Sequence, residues 1–343
     1  MKQYKVGIAG YGVVGRRRHQ FINQNPLLNV VSVCDVTLKE GKLDREEVKV
    51  YSDYKKMISE EKLDILFVCL TNDVAAEATI LGLNNGCHVF CEKPPGRNLQ
   101  EVANVIATEK LHPELKLKYG FNHRYHDSVR EAIKIVKSGD YGKIINVRGV
   151  YGKSAIVSVE NGWRAKRDIA GGGILLDQGI HMVDLIRLFA GEIIEIKSYI
   201  SNSYWNLEVE DNAFALMKSD SGVIVQFQST ATEWRHRFNL QINLEKGTIV
   251  LSGILSGSKS YGQETLTIYP QDLESGGNPK TEMINYLEDN SWRDEINEFA
   301  KSVHEGLPIS TGSSTDAYET LKLVYRIYFE DKDWREKYNI VVE

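Results

Sequence analysis

The sequence predicts an α/β protein of two domains: a doubly wound parallel sheet first, then an α+β domain with a large, mostly antiparallel, open-faced sheet. Three observations carry this. Short apolar runs alternate with helix-length stretches from residue 4 to about 121, a glycine-rich turn follows the first run directly, and strand-like segments dominate from about residue 144. At 343 residues the chain is long for a single core, and domains at 1–121 and 122–343 suit its length.

The runs YKVGIA, NVVSVCD, LDILFVCL, CHVFCE and LKLKYGF read as strands buried on both faces of a parallel sheet. Between them VVGRRRHQFINQ, DYKKMISEE, VAAEATILGLNNG and NLQEVANVIATEK are each long enough for a crossover helix. DSVREAIKIVKSG adds one more helix before the strand-rich part begins. There GVIVQFQST places Val223, Val225 and Phe227 on one face and Gln226 and Gln228 on the other, the period of a sheet with one side solvated or covered by a partner. IIEIKSYIS, AFALMKS, FNLQINLE and GTIVLSG read as further strands, and LESGGNPK, residues 273–280, as a surface loop.

With 42% hydrophobic and 26% charged residues the composition is that of an ordinary globular protein. A net charge of −5 argues against a nucleic-acid partner. The N-terminus shows no leader pattern and no apolar run approaches about 18 residues, so no membrane association and a cytoplasmic location are expected. Cys34, Cys69, Cys87 and Cys91 all lie in or beside apolar runs, where a thiol behaves as a small hydrophobe; no second pair completes a metal site, and no metal is expected.

Gly10, Gly12 and Gly15 stand in G-x-G-x-x-G spacing between the first strand and the first helix. Such glycines allow a tight turn, close approach of a pyrophosphate and close helix–strand packing, with the helix N-terminus favouring the anion. Asp35 closes the second strand 20 residues after Gly15, where a carboxylate binds ribose hydroxyls and repels a 2′-phosphate. Arg16, Arg17 and Arg18 pull the other way if one of them accepts such a phosphate; they read rather as the solvated face of the first helix, so NAD is expected in preference to NADP. The expected cofactor-binding set is Gly10, Gly12, Val13, Val14, Gly15 and Asp35, with Thr71, Asn72, Glu92 and Lys93 at later strand ends. Lys93 is either a surface lysine in a turn or a group that holds negative charge developing on a substrate oxygen.

In GGGILLDQGIHMVD, residues 171–184, three glycines precede an apolar helix with Asp177, His181 and Asp184 along one stripe. Oxidation of an alcohol needs a base near neutrality beside a hydride acceptor, and histidine supplies that base without a large pKa shift.

Four motifs in order, the glycine fingerprint with Asp35, CEKP at 91–94, GFNHRY at 120–125 and GGGILLDQGIHMVD, resemble those of the glucose–fructose oxidoreductase / inositol dehydrogenase / MocA (Gfo/Idh/MocA) family. The resemblance extends through EDNAFALMKSDSGVIVQFQSTATEWRHRF at 210–238 and so covers nearly the whole chain. It implies a Rossmann domain and a dehydrogenase in which His181 takes or returns the hydroxyl proton, Lys93 polarises that oxygen and Asp177 orients the substrate or the proton-transferring group. Asp184 then either orients the imidazole or bonds an arginine within the fold. Asn122, Arg124 and Tyr125, with Trp163, Arg164 and Lys166, are expected to join Asp177 and His181 in binding substrate. The implied substrate is a carbohydrate, and the basic segment points to a sugar nucleotide of surface-polysaccharide synthesis, the alternatives being a free sugar or inositol, or a non-catalytic dinucleotide-binding regulator. The chain departs from the family at CLTNDVAAE, residues 69–77, where many members carry a proline and a histidine after the threonine. The uncovered sheet face, and the family's habit of pairing through it, imply a homodimer or homotetramer.

Overall fold

The computed structural model describes residues 3–43, 47–155, 162–257 and 260–342. The chain forms two compact units, one of residues 1–122, 168–171 and 292–319, the other of residues 123–167, 172–291 and 320–343.

The first part of the chain runs β1 (Tyr4–Ala9), α1 (Val13–Ile22), β2 (Leu28–Cys34), β3 (Gly41–Lys42), β4 (Lys49–Tyr51), α2 (Tyr54–Glu60), β5 (Ile65–Val68), α3 (Asn72–Asn84), β6 (His88–Glu92), α4 (Leu99–Glu109) and β7 (Leu117–Gly120). There follow α5 (Asp127–Ser138), β8 (Ile144–Gly152), α6 (Arg167–Ala170), α7 (Ile180–Ala190), β9 (Ile193–Ser201), β10 (Asn212–Ser219), β11 (Ile224–Thr230), β12 (Arg237–Leu244), β13 (Gly247–Ser252), β14 (Glu264–Pro270) and β15 (Glu282–Tyr286). The helices α8 (Ser291–Glu305), α9 (Ser314–Glu330) and α10 (Lys332–Tyr338) end the chain.

The first unit is a Rossmann sheet in the order β3-β4-β2-β1-β5-β6-β7, parallel except for the short β3–β4 pair. Its strands carry the apolar runs named above, and Val6, Ile8, Ile65 and Phe67 are fully buried. The two faces of such a sheet must both be covered. Part of that cover comes from far along the chain: Ile296, Phe299, Ala300 and Val303 of α8 join the core of β1, β2, β5 and β6, with Phe299 edge-on to Phe67 at 6.0 Å and to Phe90 at 5.5 Å. A boundary drawn by position along the sequence had placed all residues after 121 in the second domain. The apolar stripe of α8 carries no mark of which sheet it covers.

The second unit is built on an eight-stranded sheet, β15-β14-β13-β12-β8-β11-β10-β9. All neighbours are antiparallel except β8 and β11. Along β11 the expected alternation is present, with Val223, Val225 and Phe227 buried. α7 lies on the buried face, and Gly149 of β8 lets it approach, since a Cβ there would stand 2.7 Å from the Met182 sulfur. The opposite face exposes Tyr199, Phe214, Leu216 and Ile224 of β9, β10 and β11. Residues 167–190 are, by length and composition, apolar enough to cross a membrane, which the run-length reading of the sequence passed over; 83% of the most apolar window is buried within the structure, as in a core helix.

Replacing Phe299 with alanine removes an aromatic ring from the first unit's core and is expected to cost about 3–5 kcal/mol, read as a fall in the urea midpoint of that unit's unfolding.

Candidate active site

In the first unit the glycine turn is shaped by contacts that no side chain could share. Gly10 has φ +90° and its missing Cβ would strike the Cys69 carbonyl, while a Cβ on Gly15 would strike the carbonyl of Gly10. Gly12, at the N-cap of α1, faces open space, with nothing within 4 Å of where its Cβ would be. The first-turn N–H groups, which helix geometry leaves without a carbonyl, therefore adjoin a cradle that fits a pyrophosphate. Val13, 87% exposed, opens that turn, and Val14 follows it partly buried.

Asp35 binds the same turn. Its Oδ2 accepts from the Tyr11 N–H at 3.0 Å, and its Oδ1 from the Thr37 N–H at 3.0 Å and the Thr37 hydroxyl at 2.6 Å. This fixes the carboxylate beside the loop with lone pairs left for ribose hydroxyls. Because β1, β5 and β6 are parallel neighbours, the glycine turn, Thr71 and Lys93 fall in one row along the carboxyl edge of the sheet. Thr71 is the N-cap residue of α3, and Lys93 is partly buried in the turn after β6.

Three side chains here have roles the sequence did not disclose. Arg18, expected on a solvated helix face, is fully buried between the rings of Phe90 at 4.4 Å and Trp292 at 4.3 Å. It pairs with Glu92 and with Glu295 of α8, the latter at 2.7 Å. Burial works to lower its pKa, and the charges of Glu92 and Glu295 outweigh that and raise it. Glu92, grouped from the sequence with the cofactor residues, thus spends a carboxylate oxygen on Arg18 and braces the turn that carries Lys93. Asn72, grouped likewise, is buried and donates its amide to the Ala170 carbonyl at 2.8 Å.

In the second unit the glycine run gives way to a helix whose start is held by Glu210. This fully buried carboxylate accepts from the Gly173 N–H at 2.8 Å, the Leu175 N–H at 3.0 Å and the Tyr328 hydroxyl at 2.6 Å. Burial raises its pKa, opposed by the Tyr328 bond and the Arg167 charge. Gly173 must be glycine because a Cβ would strike the Glu210 carbonyl oxygen. The next turn, Leu175–Gly179, is π-helical before α7 begins. Periodicity of 3.6 had predicted one continuous α-helix with Asp177, His181 and Asp184 along a single stripe. The π turn inserts an extra residue between the first of these and the others.

The consequence is a division of labour. Asp184 is fully buried and makes a bidentate pair with Arg124, Nε to Oδ2 at 2.6 Å, and accepts from the Thr320 hydroxyl at 3.1 Å. It bonds an arginine within the fold, and Arg124, expected to bind substrate, is its partner. Asp177 stays partly exposed, with Arg164 Nε 3.4 Å from Oδ1 and the Gln178 amide 3.1 Å from Oδ2.

His181 is buried under another imidazole. The ring of His123 lies 3.7 Å from it at an interplanar angle of 15°. His123 Nε2 is 3.3 Å from the Tyr151 hydroxyl. Burial, then Tyr261 and then the Asp177 charge raise the Tyr151 pKa, which keeps this phenol protonated. Behind His123 stands His126, edge-on at 5.5 Å, with Nδ1 2.8 Å from Glu264. Burial works to raise the Glu264 pKa, and bonds from His126, Ser128 and the Leu255 N–H outweigh it and hold the carboxyl below its ordinary range. His123 was visible in GFNHRY, but nothing in the sequence marked it off from its neighbours. Tyr151 and Tyr261 carried no signal at all.

The other expected substrate contacts are mixed. Asn122 is buried, and Tyr125 is buried beneath the Arg130 guanidinium at 5.0 Å. Trp163 lies under Arg164 at 4.3 Å, and Lys166 is exposed. Arg167 sits 3.9 Å over the Tyr338 ring and its N–H bonds Glu208. All four cysteines are free; burial first of all pushes the thiols of Cys34, Cys87 and Cys91 up to about 12, so none is a reactive thiolate at neutral pH. Among the described residues no group of three or more His, Cys, Asp or Glu is gathered as a metal site.

Two family models match. That of the oxidoreductase family with NAD-binding Rossmann fold (Gfo/Idh/MocA) covers residues 4–120, and that of the Gfo/Idh/MocA C-terminal domain covers residues 129–250. The chain is 24% identical to the D-glucoside 3-dehydrogenase of Escherichia coli (strain K12) over 94% of each chain. It is 23% identical to the inositol 2-dehydrogenase of Salmonella typhimurium over 92% of this chain and 90% of that one. A levoglucosan dehydrogenase solved in complex with NADH and L-sorbose superposes with a TM-score of 0.85 over 97% of this chain and 98% of that one at 19% identity, a likeness of fold.

Glu264→Gln is expected to cost about 1–3 kcal/mol at pH 7. Because the folded carboxyl titrates below its unfolded value, that stabilisation is present above the unfolded pKa and fades as pH falls through the folded one. Urea midpoints of wild type and variant should therefore converge toward pH 3.

Proposed function

The chain belongs to the Gfo/Idh/MocA family of NAD-binding oxidoreductases, and from that premise we propose that it moves a hydride between nicotinamide and a secondary alcohol or ketone carbon of a free sugar or polyol, with NAD preferred over NADP. The observation that carries the reading is the pose of His181: a buried imidazole stacked on a second ring, four residues beyond a partly exposed carboxylate, in the first turn of α7 and downstream of the helix start that Glu210 holds. Such a group takes a hydroxyl proton on a ring nitrogen without reorganising. When bound, oxidised nicotinamide supplies the acceptor for the hydride that leaves the same carbon. Lys93 polarises the reacting oxygen and steadies its charge, and Asp177 orients the hydroxyls. Gly10, Gly12, Val13, Val14, Gly15 and Asp35 hold the dinucleotide, with Thr71 and Lys93 beside it.

The preference for NAD is supported by the placement of Asp35 and by the three arginines. Arg18 is buried, Arg17 lies over Trp292 at 4.6 Å, and Arg16 turns its Nε to the Tyr11 carbonyl at 3.2 Å. A neutral substrate is supported by the cations of the basic segment. A pyrophosphate needs uncompensated positive charge; Arg164 faces Asp177, and Arg167 rests on aromatic rings. The sugar-nucleotide reading keeps only the exposed Lys166 of that segment, while the relatives named above take, by their names, a glucoside and an inositol.

We also propose that two copies pair through the outer sheet face, where Tyr199, Phe214, Leu216 and Ile224 form an apolar band across adjacent strands. Sedimentation should give a dimer or tetramer at micromolar concentration, and Leu216→Asp should shift it toward monomer.

The test of function is absorbance at 340 nm with NAD or NADP against free sugars, glucosides, inositols and sugar nucleotides. Turnover of a neutral polyol with a higher kcat/KM for NAD is expected; turnover confined to sugar nucleotides would overturn the substrate assignment. His181→Asn should lower kcat by about 10²–10⁴-fold with the NAD dissociation constant unchanged.

A further inference from the structure

We propose that His123 is a positioning residue for the proton-transfer imidazole, holding the plane of His181 and limiting the stacked pair to a single proton. The proposal rests on the reading of His181 as the base and deepens it.

The geometry is specific. His123 comes from the 3₁₀ turn Asn122–Tyr125 and His181 from the first turn of α7, and their rings overlap face to face at 3.7 Å. Phe238 of β12 lies 5.9 Å from the His123 ring, and Tyr151 of β8 lies 5.7 Å from His123 and 6.4 Å from His181. Held between these walls, neither ring rotates unless its neighbour moves.

Titration of the stack follows from the same closeness. A neutral imidazole stacks well on a neutral or a cationic one, whereas two cations at this separation, out of water, repel strongly. The groups around the stack are Tyr151 and, bonded to it, Tyr261; His126 with Glu264 of β14; and Asp177 of the π turn with Arg164 beside it. Glu264 already accepts from the Ser128 hydroxyl and the Leu255 N–H and lies 2.8 Å from His126, and Asp177 already faces Arg164 and the Gln178 amide. The pair then takes one proton and resists the next, and whenever that proton sits on His123 the base remains neutral. Activity in the oxidative direction should decline gradually with acidity, over a wider span than a lone histidine gives.

The test uses the full chain labelled with ¹⁵N-histidine, without added cofactor, with imidazole resonances followed from pH 5 to 9; the eight histidines are assigned by single substitution. In the wild type His181 and His123 should titrate as a coupled pair in two steps. In His123→Phe, which keeps a ring in the stack, His181 should titrate in one step with its midpoint raised by about half a unit or more. The acid limb of kcat/KM should move the same way. His123→Ala, which removes the ring altogether, should lower kcat at least about tenfold while KM changes less. Identical His181 titrations in wild type and His123→Phe would overturn the proposal, as would full kcat in His123→Ala. If instead His181→Asn stays active, the assignment of the base fails, while the titration still decides whether the two rings share one proton.

Discussion

The burial of Glu210 is the constraint on which the second unit's chemistry depends. A carboxyl group with no exposed surface needs hydrogen bonds to replace its water, and it finds them in the N–H groups of Gly173 and Leu175 and the hydroxyl of Tyr328, which oppose the rise that burial imposes on its pKa. Those N–H groups are orphans of a helix start, so each solves the other's problem. The contact is so close that a side chain at 173 has no room. With the start pinned in this way, the extra residue of the π turn is taken up just downstream, around Asp177. That turn sets Asp177 apart from the bonded, buried Asp184.

The buried ions follow one pattern. Arg18 with Glu92 and Glu295, and Arg124 with Asp184, each close a charge upon an opposite one, and His126 bonds the Glu264 carboxylate in the same way, although Arg18 Nη1 and Glu295 Oε1 stay buried without a hydrogen-bond partner among the described residues. Replacing such pairs by apolar residues is often neutral or stabilising, so stability alone is a weak reason for them. Position is a better one. Arg18 ties the turn of Lys93 to α8, and Asp184 ties α7 to the turn that carries His123, through Arg124. Each of these ion pairs adjoins a residue proposed for chemistry and restricts its backbone.

Much of the fold was legible because its signals are local. The apolar runs, the glycine spacing and the period of two in β11 each depend on a few neighbouring residues, and each was found where it was expected. The misses share a cause as well. Arg18 reads as surface because charged residues are rarely buried, and only Glu92 and Glu295, 74 and 277 positions away, make it otherwise. Glu210, which holds the start of the helix ahead of the π turn, lies 37 positions from Gly173 and is itself bonded by Tyr328, 118 positions further on. α8 covers the first sheet although every strand of the second unit precedes it in sequence. Legibility fails wherever a residue's role is set by a partner distant in the chain, and the surroundings of His181, with His123, Tyr151 and Tyr261, are made almost wholly of such partners.

The charges around that neighbourhood also constrain the ligand. Arg124 is closed on Asp184, Arg164 faces Asp177, and Arg167 lies on the rings of Tyr338, Trp334 and Tyr328. An anionic group held by Arg124, Arg164 or Arg167 would have to break one of these arrangements and leave a buried or half-buried charge unmatched. A neutral polyhydroxy ring asks for donors and acceptors instead. Selection among such substrates then falls to which hydroxyls are matched and which are left buried without a partner, since an unpaired buried hydroxyl costs more than a lost contact. On the proposed reading, such a site would discriminate by stereochemistry at several carbons and tolerate change where the ring meets water, as an enzyme that oxidises one secondary hydroxyl among several requires.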